Sequence, residues 1–229
     1  AARHIRQIGY MPEERGLYKK MKVGEQVLYL AQLKGLSEKE AKEKTRYWFS
    51  KMEIGSWWNK KVGDLSKGMS QKVQFISTIL HDPKLLILDE PFSGLDPLNA
   101  NMIKDEIFEL SKKGTTIIFS THRMEQVEEI CDCIVLIDKG KKLLDGDIRQ
   151  VKQDFKQHLF MIELSDTVNG KEIQSDGFSI IQKNDYSLVI KLHDQKTTNQ
   201  LLFDLIQQNL NIKAFHEILP TLNEIFITQ

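Results

Sequence analysis

The stretch Leu85-Leu86-Ile87-Leu88-Asp89-Glu90 is an apolar run that ends in two carboxylates, with Pro91 immediately behind them. The apolar part has the length and continuity of a strand covered on both faces, the pattern of a parallel sheet with helices on each side. Charge at the end of such a strand is costly to bury unless a cation or hydrogen bonds compensate it. A divalent metal carrying phosphates would do so.

Working outward, Met69, Val73, Ile76 and Leu80 recur at helical spacing before the strand, and Asp82-Pro83 stops them. After the strand, Ile103, Ile107 and Leu110 mark a second helix. It leads to another apolar strand, Thr116 to Phe119, also expected to be covered on both faces, which ends in Ser120-Thr121-His122. Strand, crossover helix and strand make a βαβ unit. In open parallel sheets the ligand lies beyond the carboxyl ends of the strands, where Asp89, Glu90 and His122 fall. Strand alternation puts Glu90 on the opposite side of the chain from Asp89.

Further out, Ile5 to Tyr10 reads as a strand ended by Pro12, and Glu13 to Lys20 as a charged loop. Gln26, Val27, Leu30 and Leu33 pattern a helix that ends near Gly35. Ser37 with Glu40 caps the next, which carries Ala41, Thr45, Trp48 and Met52. Gly55 to Gly63 is expected as a loop in which Trp57 and Trp58 are core aromatics. Residues 133–144 alternate as an antiparallel pair around Asp138-Lys139-Gly140, and Gly146 leads into a helix. Beyond about residue 157 the pattern resets to strands at Leu159 to Leu164, Phe178 to Gln182, Ser187 to Leu192 and Ile212 to Ile218. A helix from Thr197 to Gln208 points Leu201, Leu202 and Leu205 inward, and Pro220 starts a terminal helix.

Bulk properties bound the function classes. With 229 residues, 41% hydrophobic and 28% charged, the chain has material for one large domain and a small one. Lysine and arginine equal aspartate and glutamate at 32 each, so no net field draws it to nucleic acid or an anionic membrane. Its apolar runs fall short of the roughly 18–20 residues that cross a bilayer. Cys131 and Cys133 have no companions for a metal or redox set and read as reduced, half-buried thiols. The opening Ala1-Ala2-Arg3-His4-Ile5 is not a signal peptide and suggests a fragment.

Four motifs follow in order: Leu65-Ser66-Lys67-Gly68-Met69-Ser70-Gln71, the Leu85 to Glu90 strand, Ser93-Gly94-Leu95-Asp96, and Phe119-Ser120-Thr121-His122. Together they resemble the signature, Walker B, D-loop and H-loop of ABC ATPases. Ile8-Gly9-Tyr10-Met11-Pro12-Glu13 resembles the Q-loop segment, with Glu13 where many relatives have glutamine. Pro12 to Tyr18 looks like the Q-loop of sodium-extrusion-type exporters, which also end in a small extra domain. Ser66 and Gly68 stand at a helix start, where a hydroxyl, free N–H groups and the positive dipole end together suit an anion.

The resemblance implies an α/β fold, a P-loop NTPase-like parallel sheet with a helical subdomain at about 17–62. Residues 1–150 would be the nucleotide-binding domain without its first part, and 157–229 a small α+β accessory domain. It implies ATP and Mg²⁺, with Asp89 on the metal, Glu90 as general base and His122 on the γ-phosphate. Glu13 would be a second metal and nucleotide contact. Ser66, Lys67 and Gly68 would serve a nucleotide held by the other subunit of a homo- or heterodimer, and Asp96 would organise that seam. A transmembrane permease would be the partner, at the cytoplasmic face of the membrane, with export the expected direction and no nucleic acid involved.

Gly63 and Gly68 are spaced like P-loop glycines, yet Met69-Ser70 follows them instead of Lys-Ser/Thr. No phosphate cradle is read in this chain, the family's loop being expected upstream of the Q-loop, and the chain alone is expected to be inactive. Two rivals stand beside the transporter reading: a soluble ABC ATPase acting on ribosomes or DNA, and a truncated, non-hydrolysing regulatory module.

Overall fold

The computed structural model describes residues 5–14, 16–168, 173–174, 176–193 and 196–228. The chain forms two compact units, Ala1–Arg123 and Met124–Gln229.

In the first unit, strands β1 (Ile8–Met11), β2 (Leu85–Asp89) and β3 (Thr116–Ser120) form a parallel sheet in that order. Ile8 pairs with Leu85 on one side of β2, and Leu85 with Thr116 on the other. Leu86 and Leu88 are fully buried, as the apolar run requires. The second strand departs from expectation. Ile118 is 54% exposed, so β3 is not covered on both of its faces. The first strand begins at Ile8, later than its pattern suggests, and includes Met11.

Helices α1 (Val23–Leu33) and α2 (Glu38–Lys51) pack together, the second opened by the Ser37–Glu40 capping box. Leu33 is exposed, against its place in the helical pattern, because it lies on the solvent side of the last turn. Trp57 and Trp58 are half-buried, within and just after a single 3₁₀ turn. Trp58 meets Phe49 edge-on at 5.4 Å, and a Cβ on Gly24 would come within 2.5 Å of its ring. Gly24 is thus the gap into which the indole fits.

Helix α3 (Lys67–Ile79) contacts α1, β1 and α4 (Pro97–Lys112), and every residue from Ser70 to Ile79 is buried. Its apolar face carries Val73, Phe75, Ile76 and Ile79. The polar side chains survive burial by donating hydrogen bonds, since an unsatisfied buried donor is costly. Ser77 and Thr78 donate to carbonyls one turn back, while Lys72 Nζ donates to the Met52 carbonyl at 3.1 Å. Burial lowers the Lys72 pKa, against the attraction of Glu53 and Asp96. Lys51 and Glu106 pair at 2.5 Å, linking α2 to α4.

The second unit begins with α5 (Met124–Ile130), the hairpin β4 (Cys133–Asp138) and β5 (Lys141–Asp147), and α6 (Ile148–Asp154). Lys139 and Gly140 both have positive φ, 46° and 76°, as a two-residue hairpin turn of the right twist demands. An antiparallel sheet follows, β6 (Leu159–Leu164), β7 (Phe178–Asn184), β8 (Ser187–Leu192) and β9 (Ile212–Ile218), in the order β7-β8-β6-β9. One face packs with α7 (Thr198–Gln207) around Phe160, Ile162, Leu188, Ile190, Leu201 and Leu205. Pro220 does not start the last helix, α8 (Leu222–Ile227). Thr221 is its cap, with a Thr221–Glu224 capping box, so the proline precedes the helix. Cys133 is exposed, and the half-buried Cys131 has its thiol pushed up to about 11 by burial. Among the described residues no helix is long and apolar enough to cross a membrane.

The Ile8 carbonyl on β1 accepts bonds from Lys34 Nζ (2.9 Å) and His81 Nε2 (3.2 Å), while buried His81 Nδ1 has no hydrogen-bond partner. Nε2 therefore carries the proton of a neutral ring. Burial lowers the His81 pKa from 6.5, Lys34 and Lys44 add to this, and the Ile8 bond and Asp82 oppose it. A depressed folded value means that the unfolded chain binds the extra proton first. The stability contributed by neutral His81 is complete above about pH 6.5 and declines as the pH falls through that value toward the folded pKa. Urea midpoints measured from about pH 7 to about pH 5 should fall less steeply for His81→Gln, which can still donate to Ile8, than for the parent chain. Equal slopes would show that His81 does not drive the acid sensitivity.

Candidate active site

At the carboxyl end of β2, Asp89 stands in register with Ser120 of β3, and Ser120 Oγ donates to Asp89 Oδ1 at 2.6 Å. Glu90 N–H donates to the Ser120 carbonyl at 2.9 Å, one bond beyond the strand. The chain then turns sharply, with Glu90 at φ 46°. A non-glycine residue in that region costs roughly 1–2 kcal/mol and persists where its surroundings fix it. Here they do. Glu90 Oε1 accepts from the backbone N–H of His122 (2.9 Å) and lies 2.6 Å from its Nδ1, while Oε2 accepts from Thr121 Oγ1 at 3.1 Å. The two acids take different partners on β3 and just after it, and the residue that leaves the strand, Glu90, is left-handed and not part of the pleat. The Glu90 side chain is 13% exposed and that of His122 79%.

The turn is held from below by α3. Gln71 Nε2 donates to the Glu90 and Pro91 carbonyls at 3.1 and 2.9 Å, and Gln74 Nε2 to the Pro12 carbonyl at 2.8 Å. One helix thereby fixes both the acidic turn and the segment before Glu13. At its N-terminus, Ser66 is the cap and its Oγ accepts from Met69 N–H at 3.2 Å, so the oxygen expected to face a ligand also serves the helix. Lys67 and Gly68 follow in the first turn. Asp96 caps α4 and accepts from the Asn99 backbone N–H and side-chain amide, bonds that hold its carboxyl below the usual carboxylate range.

The segment between Glu90 and Asp96 packs on the start of α3. A Cβ on Gly68 would lie 3.0 Å from the Gly94 carbonyl oxygen, and one on Gly94 2.4 Å from Lys67 Cδ. A cleft of about 550 Å³ beside this contact is lined by Glu13, Glu14, Lys67, Ser70 and Ser93 among others. The site residues therefore fall into three groups: Asp89, Glu90 and His122 at the strand ends; Glu13 with Lys67 in the cleft, adjoined by Gly68; and the helix caps Ser66 and Asp96. The expectations passed over Ser120, Thr121 and Gln74 as contributors and treated Gln71 only as a motif letter. The signal available for the glutamines was their presence on a helix otherwise patterned for burial.

A family model described as ABC transporter matches residues 2–93, and one described as ATP-binding protein DrrA1-3-like, C-terminal domain, matches 146–229. An uncharacterized ABC transporter ATP-binding protein, YhaQ of Bacillus subtilis, is 42% identical over 221 residues, covering 96% of this chain and 73% of that protein. Another, from Alkalihalophilus pseudofirmus, is 38% identical over 96% of this chain and 82% of its own length. The chain belongs to the ATP-binding proteins of ABC transporters. A solved ATP-binding subunit of an ABC transporter superposes with a TM-score of 0.62 at 32% identity, over 66% of this chain and 62% of that one.

In this ABC ATP-binding chain Gly94 has φ 76°, a conformation that strains a side chain. Gly94→Ala should therefore lower stability by about 1–2 kcal/mol, mostly through that strain because the exposed Lys67 side chain can move aside. An unchanged urea midpoint would show that the turn relaxes at no cost.

Proposed function

We propose that the chain is the ATP-hydrolysing subunit that powers transport, export by preference, through a separate permease at the cytoplasmic face of the membrane. The observation that carries this is the bonding of Glu90. A carboxylate oxygen has two acceptor positions; Oε1 faces two His122 donors and Oε2 faces Thr121, which leaves one position on Oε2 for a water. A held, partly enclosed carboxylate with one open acceptor position suits a general base.

The residues also fit a magnesium nucleotide. Asp89 has Oδ1 occupied by Ser120, and its Oδ2 makes no hydrogen bond among the described residues. No group of three or more histidine, cysteine or acidic side chains is arranged to hold a metal ion among them. Mg²⁺ is ordinarily held by one or two carboxylates, waters and the phosphates themselves, and needs no larger cage. Asp89 would hold it, through water, and Glu13 would approach it from the cleft. When bound, the ion neutralises charge that develops on the phosphates. Glu90 takes the proton of the attacking water. With Glu90 ionised, His122 Nδ1 carries the proton of that contact, so donation to a γ-phosphate through Nε2 requires a doubly protonated ring or a broken Glu90 bond. These 229 residues contain no Lys-Ser/Thr phosphate loop, and turnover by them alone is not expected.

In the full-length protein Glu90→Gln keeps size and reach but loses basicity. ATP hydrolysis should fall by about 10²–10⁴-fold while ATP·Mg²⁺ is still bound. Asp89→Asn should weaken metal-dependent nucleotide binding itself. Single-turnover hydrolysis and nucleotide binding measured side by side separate the two, and wild-type turnover in Glu90→Gln would sink the assignment.

Ser66, Lys67, Gly68 and Asp96 are assigned to a nucleotide on the second subunit of a homo- or heterodimer, supported by the exposed start of α3 and its positive end. Ser66→Arg costs a cap, about 0.5–2 kcal/mol, yet leaves the subunit's own nucleotide contacts in place. It should abolish hydrolysis while ATP binding per subunit stays near wild type. Parallel loss of both would contradict a role across the dimer.

A further inference from the structure

Two consecutive hydroxyls at the end of β3 face two consecutive carboxylates at the end of β2, one each: Ser120 Oγ on Asp89 Oδ1 at 2.6 Å, and Thr121 Oγ1 on Glu90 Oε2 at 3.1 Å. The pairing follows from the backbone. Asp89 and Ser120 are register partners, and the Glu90 N–H to Ser120 carbonyl bond fixes the next step. The left-handed Glu90 then turns its side chain toward Thr121 and His122. Thr121 Oγ1 itself accepts from Arg123 N–H at 3.2 Å, which turns its hydroxyl hydrogen to Glu90.

We propose that Ser120 and Thr121 are positioning residues for hydrolysis. Ser120 occupies one oxygen of Asp89 so that the other is presented to the metal, and Thr121 fills one acceptor position of Glu90 Oε2 so that the remaining one is aimed at the water. His122 alone cannot do this, because both of its contacts are to Oε1 and leave the carboxylate free to rotate about that anchor. The inference rests on the proposed roles of Asp89 and Glu90, and it divides labour along β3: each hydroxyl serves one acid and is silent for the other.

The test uses the full-length protein with its permease. Thr121→Val keeps the shape and removes the donor. It should lower kcat about 10- to 100-fold, the worth of one hydrogen bond to a charged group, with the KM for ATP·Mg²⁺ within about twofold of wild type. Thr121→Ser should restore most of the rate. Ser120→Ala should weaken Mn²⁺ binding in the nucleotide complex by about tenfold, read by electron paramagnetic resonance, while Thr121→Val leaves that affinity alone. Urea midpoints identify any variant that fails to fold, and Thr121→Ala then replaces valine. A wild-type kcat in Thr121→Val, a loss that serine does not rescue, or equal Mn²⁺ affinity in Ser120→Ala would overturn the proposal. Glu90→Gln run in parallel separates the failures: if it abolishes turnover while Thr121→Val does not, the positioning role fails and the base assignment stands.

Discussion

The interaction on which the rest of the first unit depends is the burial of polar donors along α3. A helix enclosed from Ser70 to Ile79 must give every buried N–H a partner, and three of its side chains find theirs in carbonyls of distant loops. Lys72 ties it to Met52 at the end of α2, Gln74 to Pro12 after β1, and Gln71 to Glu90 and Pro91 after β2. Each bond satisfies a carbonyl that no sheet or helix ladder reaches. An apolar helix in this place could bury as much surface but would make none of these ties to the three loops. The polar residues set geometry, and Val73, Phe75, Ile76 and Ile79 supply the hydrophobic stabilisation.

That division explains why the two acids behave differently although they are neighbours. Asp89 is still part of the ladder, in register with Ser120, so its direction is set by the sheet. Glu90 has left the ladder after one last bond, and its left-handed backbone is imposed by Gln71 below and by Thr121 and His122 beside it. Strain at a site of this kind is stable only where several contacts agree, and here main-chain, side-chain and helix contacts do.

Much of this was legible in the amino-acid order, for identifiable reasons. The run Leu85 to Leu88 could be a strand only, being too short for a helix and bounded by turn residues, and Ser37 with Glu40 specified a helix start by its own chemistry. The strands after residue 157 were legible as apolar runs, and the hairpin around Asp138-Lys139-Gly140 by its alternation. What escaped was whatever depends on neighbours distant in sequence. Ile118 reads as core because it is apolar, and only the folded chain shows that its face of β3 is left exposed. Pro220 has the right residue type for a first helical turn, yet Thr221 caps more effectively and claims the boundary. Positive φ at Glu90 has no sequence mark, since glutamate is not a residue that favours it.

The same limit applies to Ser120 and Thr121, and it shows what kind of information a motif carries. In Phe119-Ser120-Thr121-His122 the histidine attracts notice because its chemistry is unusual, whereas two hydroxyls at a strand end pass for solvent-facing polar residues. Their significance arises from registration between β2 and β3: shift the pairing by one residue and Ser120 would no longer oppose Asp89, nor would Thr121 reach the turned Glu90. Register in turn is set by the buried alternation of Leu86 and Leu88 against their neighbours and by the first and last bonds of the pair, Thr116 N–H to the Lys84 carbonyl and Glu90 N–H to the Ser120 carbonyl. The geometry proposed for catalysis is therefore specified by the strand that leads to it, through the buried leucines Leu86 and Leu88 and the bonds that hold β2 to β3.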